Sequence, residues 1–207
     1  SLLSEAYLKS DPSFDGRVTV AVLWDKKTQR IVNNESSEII RMLNAEFNAF
    51  TESTINYYPV ELREEIDEIN AFVYTNINNG VYRTGFATTQ AAYEKAFTAL
   101  FATLDNLEER LSGQSYLLGN QITEADWRLF TTLVRFDAVY YSHFKCNQKR
   151  LVDYLHLWRY TRNLYQVPGV ADTVNMDHIK RHYYGTHASL NPTGIVPKGP
   201  EIDFTIR

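Results

Sequence analysis

Glu35 and Ser36 lie in "NNESSEIIRML", where a polar cluster runs into a stretch with Ile39, Ile40, Leu43 and Phe47 on one helical face. A helix N-terminus exposes unpaired amides and about half a positive charge. A serine hydroxyl at that point completes a carboxylate site, and a neighbouring glutamate can pair with an ammonium group. A ligand end carrying both charges fits Glu35 with Ser36. An ordinary helix cap accounts for the same residues, and the pattern alone does not separate the two.

Other residue types suggest less. Cys146, the one cysteine, rules out an intramolecular disulfide and reads as a buried small hydrophobe. A reactive thiol would need an electropositive, partly exposed setting, and Lys145 alone is thin support. His178 and His182 stand four apart on one helical face, a workable ligand pair. No paired cysteine or adjacent catalytic glutamate joins them, so no metal is expected, and with His187 they read as capping and packing residues. The 14 tyrosines could donate hydrogen bonds or protons, but most must simply pack. Thr123 and Asp126, three apart, form a capping box with Asp in place of the commoner Glu.

The elements that must position these residues are mostly helices. "SLLSEAYLK" reads as a short helix ending before Asp11-Pro12. The apolar run at 18–24 and "RIVN" read as a hairpin around "DKKTQ". A helix starts at Ser36. Pro59 opens the next, with Leu62, Ile66, Ile69, Val73 and Ile77 at helical spacing. "NNG" at 78–80 is expected to stop it, with Gly80 as a left-handed cap and "VYRTGF" as a loop. Tyr93, Phe97, Leu100, Leu104, Leu107 and Leu111 share a face of a long helix. Two more helices are expected over 124–145 and 149–165, then a short one at "HIKRHYY". The fold class is α+β, mostly helical. The expected divisions are 1–49, a linker at 50–59, a helical domain at 60–189 and an extended tail at 190–207.

The 207 residues are 44% hydrophobic and 14% aromatic, enough for a sizeable core. A net charge of −4 argues against a nucleic-acid or anionic-membrane binder. No apolar run approaches the ~20 residues of a membrane span. A single cysteine fits a reducing compartment, so a cytoplasmic location is expected. The chain starts at Ser1 rather than Met and is expected to be processed or part of a longer protein.

"YLLGNQITEADWRLF" is similar to the capping-box segment of the helical domain of cytosolic glutathione transferases. "VTVAVLWD" with "NNESSEIIR" resembles the last part of their thioredoxin-like domain. "NGVYRTGFATTQAAYEKAF", "RFDAVYYSHFKCN", "HIKRHYYGTH" and "LNPTGIVPKGP" narrow the resemblance to the glutathionyl-hydroquinone reductases, the xi class of that superfamily. The set runs from about residue 6 to residue 200 and is specific as a set.

The resemblance implies the C-terminal part of a thioredoxin-like domain followed by an all-helical domain. It gives Glu35 and Ser36 the γ-glutamyl end of glutathione. It gives Arg17, Val18, Thr19 and Val20 the middle of glutathione, through backbone hydrogen bonds. It implies a proton-donor role for Tyr82, and a lowered pKa of the catalytic thiol for Tyr140 and Tyr183. It also implies glutathione as cosubstrate, glutathionylated quinols as substrates and a homodimer.

Two departures stand out. Ala21 replaces a cis-proline of the family, and a cis bond before a non-proline residue costs roughly 3–4 kcal/mol. The bond is either held cis at that cost or relaxed to trans with the ligand hydrogen bonds misplaced, and weaker glutathione binding is expected. The family's nucleophilic cysteine, in a Cys-Pro-Trp-Ala segment, is expected upstream of Ser1. A non-catalytic glutathione-transferase-like binding module is the alternative.

Overall fold

The computed structural model describes residues 2–205. The chain divides into two units, Ser1–Pro59 and Val60–Arg207.

The first unit runs helix, hairpin, helix. Helix α1 is Leu3–Ser10, strands β1 and β2 are Leu23–Asp25 and Arg30–Asn33, and helix α2 is Ser36–Ala45. The strands pair antiparallel, Leu23 opposite Asn33 and Asp25 opposite Arg30. The turn is held by Asp25, whose carboxylate accepts from the Lys27 amide at 2.7 Å and the Thr28 hydroxyl at 2.6 Å. Helix α1 packs on β2, and the Ile31 amide donates to the Ser10 hydroxyl at 3.0 Å. The ladder is shorter than the apolar run at 18–24 suggests. Its second strand ends at Asn33, already paired with Leu23, so 18–22 has no strand opposite it among the described residues.

The second unit is all helical: α3 Arg63–Val73, α4 Asn79–Gly85, α5 Gln90–Arg110, α6 Glu124–Leu133, α7 Leu155–Tyr165 and α8 Met176–Thr186. Pro59 lies just before a 3₁₀ turn at Val60–Leu62 that leads into α3. The expected apolar stripe of α5 is realised: Leu100, Leu104, Leu107 and Leu111 are fully buried, and Phe97 packs against that core. Helix α4 lies along α5, α3 and α7 pack on α6, and α7 also meets α5.

The expected stop at "NNG" is wrong. A π-helical turn at Tyr74–Asn78 carries α3 into α4, and Gly80 sits buried inside the helix rather than at a left-handed cap. Packing overrides local propensity here: a Cβ on Gly80 would lie 3.6 Å from Leu100 Cδ1, ordinary contact across the α4–α5 interface. The expected single helix over 124–145 is also interrupted. Helix α6 ends at Leu133, and a second π-helical turn covers Phe136–Tyr140. The stretch 149–165 divides into a 3₁₀ turn at Leu151–Asp153 and α7.

Buried carboxylates organise these breaks. Asp126 accepts from the amides of Thr123 and Leu117 at 2.7 and 2.9 Å and from the Tyr160 hydroxyl at 2.9 Å, and so forms the capping box of α6. Asp137, in the second π turn, accepts from the amides of Leu151 and Val152 at 2.5 and 3.1 Å. Among the described residues no helix is long and apolar enough to cross a membrane.

Candidate functional site

In the first unit, Glu35 rather than Ser36 is the N-cap of α2, and Ser36 is its first helical residue. The Glu35 carboxylate accepts from the Ser37 amide at 3.3 Å and its hydroxyl at 3.1 Å. The Glu35 amide donates to the Asn33 side chain at 2.7 Å. The cap therefore forms, while both Glu35 and Ser36 remain exposed to solvent. Arg17, Val18, Thr19 and Val20 are all exposed, and the Val20–Ala21 peptide is cis. Thr19 is tied to α1: its carbonyl accepts from the Tyr7 hydroxyl at 2.7 Å. Tyr7 was not foreseen; it is the buried residue of a short helix.

In the second unit, three tyrosines far apart in the chain meet at their hydroxyls. Tyr183 on α8 lies 2.6 Å from the Tyr82 hydroxyl on α4 and 2.8 Å from that of Tyr140 in the second π turn. Tyr82 is therefore helical, not in the expected loop. It is 38% exposed, against 2% for Tyr140 and 6% for Tyr183.

Each phenol has one proton to give. Tyr183 is the hydroxyl partner of Tyr140 among the described residues, so a buried Tyr140 proton directed elsewhere would go unpaired, a costly arrangement. The satisfied ordering is Tyr140 donating to Tyr183 and Tyr183 to Tyr82, leaving the Tyr82 proton for a ligand. Burial, then the neighbouring phenols, holds Tyr140 well above the ordinary phenol pKa, and burial also raises Tyr183. Both stay neutral donors.

Aromatic rings wall this cluster. Phe144 sits with its centroid 5.2 Å from Tyr82, 5.4 Å from Tyr140 and 5.3 Å from Phe86. His187 lies 5.1 Å from Phe86 and 5.5 Å from Tyr183, and its Nδ1 is 3.2 Å from Nε2 of buried His143. Phe144 and His143 were not foreseen; they follow the second π turn, which no periodicity announces. Gly85 also borders a cavity of about 380 Å³ with Thr84, Tyr93, Lys145 and Asn147, and none of the three tyrosines lines it.

Cys146 is fully buried, its sulfur facing the carbonyls of Val81 and Phe144 at 3.9 and 3.8 Å. Burial pushes its pKa up to about 12, so it is a packed thiol and not a nucleophile. His182 packs on Tyr183 and His187. Among the described residues no three His, Cys, Asp or Glu side chains gather as a metal site.

Comparison with known proteins decides the family. Residues 90–163 match the glutathione S-transferase, C-terminal domain. Glutathionyl-hydroquinone reductase PcpF of Sphingobium chlorophenolicum is 58% identical over 198 residues, 96% of this chain and 63% of that protein. The crystal structure of glutathione transferase Xi 1 from Trametes versicolor is 50% identical, superposes with a TM-score of 0.94, and is matched over 99% of this chain and 72% of that one. The chain belongs to the xi class of glutathione transferases. The glutathione-bound structure of YqjG, a glutathione transferase homolog from Escherichia coli K-12, is 53% identical with a TM-score of 0.95 over 98% of this xi-class chain and 66% of that one. The xi-class chain thus spans less than two thirds of the length of PcpF.

Proposed function

We propose that this chain is the larger part of a glutathionyl-hydroquinone reductase. In this reading Glu35 and Ser36 take the γ-glutamyl ammonium and carboxylate of glutathione, and the backbone of Arg17–Val20 takes its middle. The nucleophile is a cysteine outside this chain, since the one cysteine here is buried and its thiol is held protonated. Its thiolate attacks the glutathionyl sulfur of an S-glutathionyl-hydroquinone. The carbon–sulfur bond breaks, the ring keeps the electron pair and takes up a proton, and hydroquinone leaves. A second glutathione thiolate attacks the mixed disulfide, releasing glutathione disulfide and regenerating the cysteine thiolate. Overall the thioether sulfur and one glutathione thiol are oxidised to the disulfide and the aryl carbon is reduced, so the electrons balance.

The observation that carries the reading is the phenol chain Tyr140–Tyr183–Tyr82, which ends in an exposed hydroxyl with a proton to give. Tyr82 supplies the proton, and Tyr140 and Tyr183 act on it and on the thiolate through that hydroxyl. The relationship to PcpF supports the substrate class. The test is steady-state turnover of a glutathionylated hydroquinone by the full-length protein, with glutathione disulfide as readout. Tyr82→Phe is expected to lower kcat/KM by about 100-fold, the lower end of general-acid effects. Parent-like turnover in Tyr82→Phe would remove the tyrosine from the chemistry. Glutathione binding without turnover in the parent would favour a non-catalytic binding module. A homodimer and a cytoplasmic location belong to the same proposal and are checked by sedimentation and by fractionation.

A further inference from the structure

Tyr7, only 3% exposed, is the buried residue of α1, and its hydroxyl joins two chain segments. It donates to the Thr19 carbonyl at 2.7 Å, accepts from the Thr19 amide at 3.4 Å, and lies 3.4 Å from Thr19 Oγ1. The Asn34 side-chain amide donates to it at 3.3 Å. The Phe14 ring packs against it at 4.7 Å. Thr19 belongs to the exposed run Arg17–Val20, and Asn34 immediately precedes the α2 cap Glu35. Resting on the glutathione reading above, we propose that Tyr7 is a positioning residue for glutathione: one phenol fixes the segment that meets the middle of the tripeptide against the segment that takes its γ-glutamyl end.

The chemistry follows from what Thr19 does with its backbone. Its amide and carbonyl are both turned to Tyr7, which leaves Val18 and Val20, both exposed, to offer theirs to a ligand strand. Without the phenol the Thr19 carbonyl loses its partner, and Asn34 loses its tie to the same point. The two half-sites would then have to be brought into register when glutathione binds, and that ordering opposes affinity.

Tyr7→Phe keeps the ring and its Phe14 contact and removes every hydroxyl bond. Glutathione binding by the full-length protein, measured by titration calorimetry, should weaken about 10-fold, equivalent to 1.4 kcal/mol. Asn34→Ala removes one arm and should weaken it about 3-fold. Glu35→Gln serves as the control for the glutathione reading. A purely structural tyrosine would lower the melting temperature and leave the affinity of the folded protein unchanged. A parent that binds, a Glu35→Gln variant that binds poorly and a Tyr7→Phe variant that binds like the parent would overturn the inference alone. A parent that does not bind glutathione would overturn the glutathione reading and the inference with it. If Tyr7→Phe does not fold, the exposed Asn34→Ala variant decides: weaker binding supports the inference, and parent-like binding overturns it.

Discussion

His143 and His187 share one hydrogen bond behind the tyrosine cluster, Nε2 to Nδ1 at 3.2 Å. Such a bond needs a donor on one ring and a bare nitrogen on the other, so it is lost when both rings are protonated. Burial, then the partner imidazole, then Lys145 lower the His143 pKa; burial, then His182, lower that of His187. The unfolded chain therefore takes up protons near the ordinary histidine value of about 6.5 that the native state refuses. The contribution of the pair is full above that pH and is lost as the solution is acidified toward the lowered native values. Denaturant unfolding at pH 7.5 and pH 5.5 should show the parent losing stability on acidification, with a smaller loss for His143→Gln. Equal losses in parent and variant would place the pH dependence elsewhere.

Helix α4 shows where packing prevails over local propensity. "NNGVYRTGF" reads as a stop and a loop because Asn and Gly are poor helix formers, and nothing within that stretch reveals what it packs against. The chain stays helical because α4 lies along α5, and its end comes against Phe144. A Cβ built on Gly85 would stand 2.3 Å from Phe144 Cγ and 2.7 Å from its Cβ, too near the root of that side chain for a rotamer change to relieve. Gly85→Ala should cost about 1–3 kcal/mol in unfolding free energy, the usual range for overpacking. On the proposed function it should also lower turnover by the full-length protein, because Phe144 walls both Tyr82 and Tyr140. Unchanged stability would mean that α4 shifts freely. By contrast, the stripe on α5 was legible, because a long amphipathic helix announces its buried face by period alone. The cap at Glu35–Ser36 was legible for a related reason: a helix start is a local event. The phenol cluster was not legible in that way. Its hydroxyl pairs are 101 and 43 residues apart, so only likeness to a family could suggest that Tyr82, Tyr140 and Tyr183 share a site.

At the scale of the whole molecule, the two units differ in how much they bury. Among the described residues of the first, Tyr7 and Ile39 are the buried hydrophobics, while Val20, Leu43, Phe50 and Ile55 are exposed. The second holds a continuous core that draws on every helix from α3 to α8. Local opening free energy follows the buried apolar contacts that opening would break. In hydrogen exchange on the 207-residue chain, amides of α1, the hairpin and α2 should therefore exchange well before those of α5, α6 and α7. On the proposed glutathione reading, glutathione at saturating concentration should slow the first group selectively, because a ligand that binds only the closed form stabilises that form. Tyr7→Phe should erase much of that protection if the phenol holds the binding segments in register. Exchange of both groups in a single cooperative step would show instead that the thin core of the first unit does not limit its opening, and that its stability is set together with that of the helical unit.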